Sequence, residues 1–90
     1  MTDTSDSSPL RFPTDYPIKV VGRSGRGLRA RVDAVVLQHA PDTPPERISE
    51  RASGAGNFTS ITYDIVAQSR EQVTALVNAL IATEDVLMVI

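Results

Sequence analysis

Between Asn57 and Ile90 the spacing of the apolar residues changes twice, and few folds accommodate both changes. Thr59, Ile61, Tyr63, Ile65 and Ala67 occupy every second position, which aims them at one face of a strand. Ser69-Arg70-Glu71-Gln72 then has the form of a capping box. The Ser69 hydroxyl can accept from the amide of Gln72, and the Gln72 side chain can reach back to the cap amide. Val73, Leu76, Val77, Leu80 and Ile81 follow at i, i+3, i+4, i+7 and i+8, the stripe of an amphipathic helix. Val86-Leu87-Met88-Val89-Ile90 closes the chain without a polar break. The order is strand, helix, strand.

The preceding half repeats that order with weaker signals. Tyr16, Ile18 and Val20 alternate with Pro17, Lys19 and Val21, a strand ending at Gly22. Proline is tolerated near its start because the missing ladder bond falls at the end. Gly22 to Gly27 is a turn, and Leu28, Val32, Val35, Val36 and His39 form a second helical stripe. Pro41 stops that helix by disfavouring helical geometry at Ala40. Glu46 to Arg51 reads as a charged strand suited to a sheet edge, and Ser53 to Asn57 as a hairpin turn. Met1 to Ser8 is rich in Ser, Thr and Asp, so residues 1–11 are expected to be a disordered leader before one domain over 12–90.

Strand, helix, strand, strand, helix, strand with right-handed crossovers predicts an α+β, ferredoxin-like βαββαβ sandwich. Its four-stranded antiparallel sheet has order 4-1-3-2, with two helices on one face. The expected core is Ile18, Val20, Leu28, Val32, Val35, Val36, Ile48, Ile61, Tyr63, Ile65, Val73, Leu76, Val77, Leu80, Val86, Met88 and Ile90. Leu87 and Val89 then point to the open face beside Val21.

Particular residues resemble a known family. Phe12-Pro13-x-x-Tyr16-x-x-Lys19-Val20-x-Gly22, His39-Ala40-Pro41, Gly56-Asn57-Phe58-x-Ser60, Ala67-x-Ser69-x-Glu71-Gln72-Val73 and Val86-x-Met88-Val89 look like the YbeD-like proteins. These are small bacterial proteins of unknown function, and the similarity runs from about Phe12 to Ile90. The resemblance implies a ferredoxin-like fold similar to ACT domains, the ligand-binding regulatory modules of amino-acid metabolism. It therefore implies a non-enzymatic binding or regulatory module; the alternative is an interaction adaptor with no small-molecule ligand. The chain departs from the family pattern in an Arg-rich first turn and a longer connection after Pro41.

Ninety residues support one domain with a single modest core, and 41% hydrophobic content suffices to fold it. Cysteine is absent, which removes disulfides and thiolate metal sites, and no apolar run is long enough to span a membrane. With no secretory progression at the N-terminus, a cytoplasmic location is expected. The net charge of −2 conceals a local excess: Lys19, Arg23, Arg26, Arg29 and Arg31 fall close together with no acid between them.

The candidate site follows from that excess. Gly22, Arg23, Gly25 and Arg26 could form a nest whose amides and guanidinium groups hold a small anion or an amino acid. The resemblance adds that in ACT domains the turn after the first strand helps to hold an amino acid at a subunit interface. The alternative is a flexible turn with solvated arginines. The glycine spacing matches neither a P-loop nor a dinucleotide fingerprint.

His39, the one histidine, lacks the partners that metal binding or acid–base catalysis needs; its helix-end position suits a dipole or capping contact. Nucleic acid is unlikely as a partner: an RNA-reading sheet needs aromatic residues on its central strands, and the outward positions are Lys19, Val21, Phe58, Ser60, Thr62 and Asp64. The open face is instead expected to mediate a weak homodimer or a protein partner through Val21, Leu87 and Val89. No catalytic set or metal-ligand cluster is legible, so neither an enzymatic activity nor a cofactor is expected.

Overall fold

The computed structural model describes residues 11–90; the leader expected over residues 1–11 lies, apart from Arg11, outside the described residues. Strand β1 (Thr14–Arg23) leads to helix α1 (Leu28–His39), and a single 3-10 turn at Pro45–Arg47 precedes β2 (Ile48–Ala52). Strand β3 (Phe58–Ala67), helix α2 (Arg70–Ile81) and β4 (Val86–Val89) complete the order. The sheet runs β2-β3-β1-β4 with every pairing antiparallel, which is the expected 4-1-3-2 order read from the other edge. Both helices cover one face, so the fold is the ferredoxin-like sandwich.

Local sequence accounts for most of this. The alternation in β3 puts Thr59, Ile61, Tyr63, Ile65 and Ala67 on the helix side, where all five are buried. Ile18 and Val20 of β1 join them, and the register Ile18↔Tyr63 and Val20↔Ile61 stacks the four as cross-strand pairs. Leu28, Val32 and Val36 of α1 and Val73, Leu76 and Leu80 of α2 close the core from above. Gly22 lies where the backbone before β4 meets α1. A Cβ there would stand 2.8 Å from the Asp85 carbonyl and 3.1 Å from a Leu28 methyl, so only glycine fits.

The helices start differently. Ser69 caps α2 by accepting from the Gln72 amide at 3.1 Å. The Gln72 side chain accepts from the amide of Gln68, one residue before the cap, and its Nε2 donates to the His39 carbonyl at 2.8 Å. One side chain thus ties the start of α2 to the end of α1. Helix α1 is entered through Gly27 at φ +78°, has no side-chain cap bond and carries no acid in its first turn. His39 Nδ1 sits 3.0 Å from the Val35 carbonyl at the other end of α1.

Two expectations are corrected. Glu46 and Arg47 do not begin a strand; with Pro45 they form the 3-10 turn, whose Arg47 amide donates to Pro44 at 3.0 Å. Pro45 fixes a turn-compatible φ and has no N–H for a ladder, so pairing starts only at Ile48.

The second correction concerns β4. Gly22 pairs with Val86, Val21 with Met88 and Val20 with Val89, leaving Leu87 as the extra residue of a β-bulge. Val86 and Val89 therefore pack on the core, whereas Met88 is 53% and Ile90 68% exposed. Met88 and Ile90, expected in the core, lie on the open face, and Val89, expected outside, packs inside. Both ends of the strand are pinned: Arg23 N–H donates to Asp85 at one end, and Lys19 and Ile90 exchange two backbone bonds at the other. One residue too many lies between those anchors, and a one-residue shift exchanges the faces.

Candidate functional site

The four residues of the expected anion nest do not converge. Gly22 is buried against Asp85 and Leu28, and the amides of Arg23 and Ser24 donate to Asp85 at 2.9 Å and to Asn57 at 3.0 Å. Gly25 and Arg26 stay exposed at the turn, while Arg23 ends β1 opposite Phe58 and faces away from the helices with it.

The cationic stretch is divided by ion pairing. Arg29 Nε reaches both Asp33 carboxylate oxygens at 2.8 Å, and its Nη1 reaches Glu50 at 2.9 Å. Hydrogen bonding to the two carboxylates, Asp33 more than Glu50, raises the Arg29 pKa above its ordinary value. The buried Tyr63 hydroxyl donates to the same Asp33, and burial, reinforced by that bond, pushes the phenol far above its ordinary value. This network sews α1 to β3 and β2. Arg31 pairs with Asp85 at 3.0 Å, and Arg47 with Asp15 at 3.5 Å. None of the ion pairs among the described residues engages Lys19, Arg23, Arg26 or Arg51.

Three of those four unpaired cations share the open face of the sheet. One cross-strand row there reads Ser49–Thr62–Lys19–Ile90, and the next reads Arg51–Ser60–Val21–Met88. Phe58 and Arg23 form the row beyond, with Phe58 46% exposed. In β3 the sequence pattern already held this placement, since Ser60 and Thr62 flank the inward Ile61; in β2 it did not, because the inward Glu50 is as polar as Ser49 and Arg51. It became legible as a site only once pairing set Arg51 beside Ser60 and Lys19 beside Thr62. Among the described residues no group of three or more His, Cys, Asp or Glu could hold a metal ion. No helix among them is long and apolar enough to cross a membrane.

Known proteins share both sequence and fold with this chain. A UPF0250 protein of Pseudomonas paraeruginosa is 41% identical over 93 residues, covering 100% of both chains. A UPF0250 protein of Shewanella woodyi is 41% identical over 87 residues, 96% of each, and one of Bordetella pertussis 36% over 75 residues, 83% of this chain and 82% of its own. Among solved structures, the ACT domain from GTP pyrophosphokinase of Chlorobium tepidum superposes with a TM-score of 0.68 at 22% identity, covering 86% of this chain and 97% of that one. Protein HP0495 from H. pylori gives a TM-score of 0.72 at 10% identity, covering 100% and 94%. Both establish an ACT-like fold and nothing further. The family DUF493, described as a protein of unknown function, matches residues 7–90, and the chain belongs to it, the YbeD-like, UPF0250 family of bacterial proteins.

Proposed function

We propose that this chain is a non-catalytic binding module of the regulatory, ACT-like kind, and that its working surface is the open face of the sheet. The observation that carries this is segregation. Lys19, Arg23 and Arg51, which pair with no acid among the described residues, gather on the face opposite the helices, together with Phe58, Met88 and Ile90. The groups whose acidity is perturbed, Tyr63 and Arg29, are engaged in holding α1 to the sheet, a structural use that supports a binding role over a reactive one. Cytoplasmic location stays part of this proposal.

A thermal-shift screen with amino acids and small anions tests it. A specific ligand at 100 times its dissociation constant stabilises by about 2.7 kcal/mol. In a domain of this size that raises the midpoint by roughly 10 °C or more. No shift across the screen removes the small-ligand reading and leaves the adaptor.

The exposed apolar residues of β4 favour a second reading, a weak homodimer or protein partner held through Val21, Leu87, Met88 and Ile90. Burying such side chains is worth a few kcal/mol before the cost of association, enough for weak pairing. Light scattering across a concentration series, on the natural chain and on Met88→Lys, decides it. A monomer at every concentration in both rejects the dimer.

A further inference from the structure

We propose that the open face over β2, β3 and β1 is a site for a small phosphate ester with a flat organic body, a ligand of the nucleotide type. The proposal rests on the binding-module reading and adds a place and a chemistry. A depression of about 310 Å³ is lined by Lys19, Ser49, Glu50, Arg51, Ser60 and Thr62. It joins a second of about 170 Å³ over Val21, Ala52 and Phe58, the two sharing Arg51 and Ser60.

The first depression carries phosphate-binding chemistry. Lys19 and Arg51 stand on opposite sides of Ser60 and Thr62, two strands apart and one row displaced. Strands lie about 4.8 Å apart and alternate residues about 6.7 Å apart, so both long side chains can close on one group above the hydroxyls. Arg51 has the planar fork that matches two phosphate oxygens, and Lys19 adds a point charge. Neither cation is held by a carboxylate among the described residues. Glu50 lines the rim, but its carboxylate is taken by Arg29 at 2.9 Å. Asp64, one row beyond Thr62 on the same face, bounds the site on that side and turns an anion towards Arg51 and Arg23.

The second depression offers the complement to a flat group. Phe58 is an aromatic exposed on the same face as Ser60, two residues along β3, with Arg23 beside it. A base or comparable ring can lie against Phe58 while its phosphate reaches Arg51 and Ser60, the two residues common to both depressions. A single aromatic suits one base rather than a run of them, which favours a mononucleotide-sized ligand over single-stranded RNA.

Amide NMR titration of the full chain at constant ionic strength tests this, with AMP, adenosine, inorganic phosphate and a short adenine oligonucleotide as separate probes. The expected result is saturable movement of the amides of Lys19, Ser49, Arg51, Ser60 and Thr62 with AMP, and weaker saturation at the same amides with phosphate. Arg51→Gln should weaken AMP at least tenfold, and Phe58→Ala should weaken AMP while leaving phosphate unchanged. Both side chains are exposed, so the spectra of the variants report an intact fold. Movement that tracks ionic strength with any salt overturns the proposal, as does oligonucleotide binding far tighter than AMP. Saturable binding confined to the Gly25–Leu28 turn overturns this site and keeps the binding module; no binding by any probe, with no shift in the small-molecule screen, removes both.

Discussion

The two faces of the sheet are made from the same strands and obey opposite rules. On the helix side Ile18, Val20, Ile61, Tyr63 and Ile65 are at most 1% exposed and belong to one core with residues of both helices. On the other side the interleaved Lys19, Arg51, Ser60 and Thr62 carry charge and hydroxyls that no helix covers. One face holds the energy of folding; the other is free to differ without unfolding the chain. A sheet whose packed core and exposed polar rows lie on opposite surfaces can vary those rows with little effect on the core.

The sharpest way to break that comparison is to truncate adjacent residues of β3. Ile61→Ala should lose about 2–5 kcal/mol, the transfer energy plus an unfilled cavity, in urea unfolding. Thr62→Ala, one residue along and on the other face, should stay within about 0.5 kcal/mol. Similar losses from both would mean that the open face also supports the fold.

Alkaline pH probes the polar seam within the covered face. The Tyr63 pKa is raised in the folded state from its model-peptide value of 10.0, so the folded protein keeps a proton that the unfolded chain gives up. Stability linked to Tyr63 is therefore complete below about pH 10 and declines as pH rises above it, by up to about 1.4 kcal/mol per unit. Denaturant midpoints between pH 8 and 12 should show that decline, and Tyr63→Phe should flatten it. An equally steep decline in the variant would assign the effect to other groups.

Capping gives a smaller effect. Ser69→Ala should cost about 1 kcal/mol, because the Gln72 amide loses its acceptor at the start of α2. No loss in chemical unfolding would show that the Gln72 side chain alone holds that end.

The smallest change to stability tests the register of β4. Met88→Lys places a charge on an exposed position and should move stability by no more than about 0.5 kcal/mol. Val89→Lys, whose side chain packs on the core, should cost clearly more in the same unfolding assay. The reverse order would show that the bulge is misplaced and that Met88 faces inward.

Those contrasts also separate what was legible in the chain from what was not. The alternation in β3, the stripe of α2 and the Ser69 cap were readable because each depends on neighbours within one or two turns. The extent of β2 was not, since proline chemistry at Pro44-Pro45 overrode an alternating charge pattern. The faces of β4 were not either. Val86 to Ile90 is apolar at every position, so no polar residue marks the outward side, and the bulge at Leu87 arises from pairing to β1. The basic stretch from Lys19 to Arg31 was visible as a cluster, and Asp33, four residues after Arg29, is a partner the sequence itself offers; the remaining partners, Glu50 for Arg29 and Asp85 for Arg31, are distant in sequence.

By itself the sequence determined the order of elements, the strand order, most of the core and the family, because hydrophobic period and capping chemistry act over short spans and the crossover rule leaves few topologies. Tertiary structure alone decided which cations lack an acid partner among the described residues, which apolar residues of the last strand stay in water, and that Arg51 of one strand shares a face with Lys19 of another. Those are properties of pairing between segments far apart in the chain. A one-residue change of register reverses a strand's faces, so no local pattern could have supplied them.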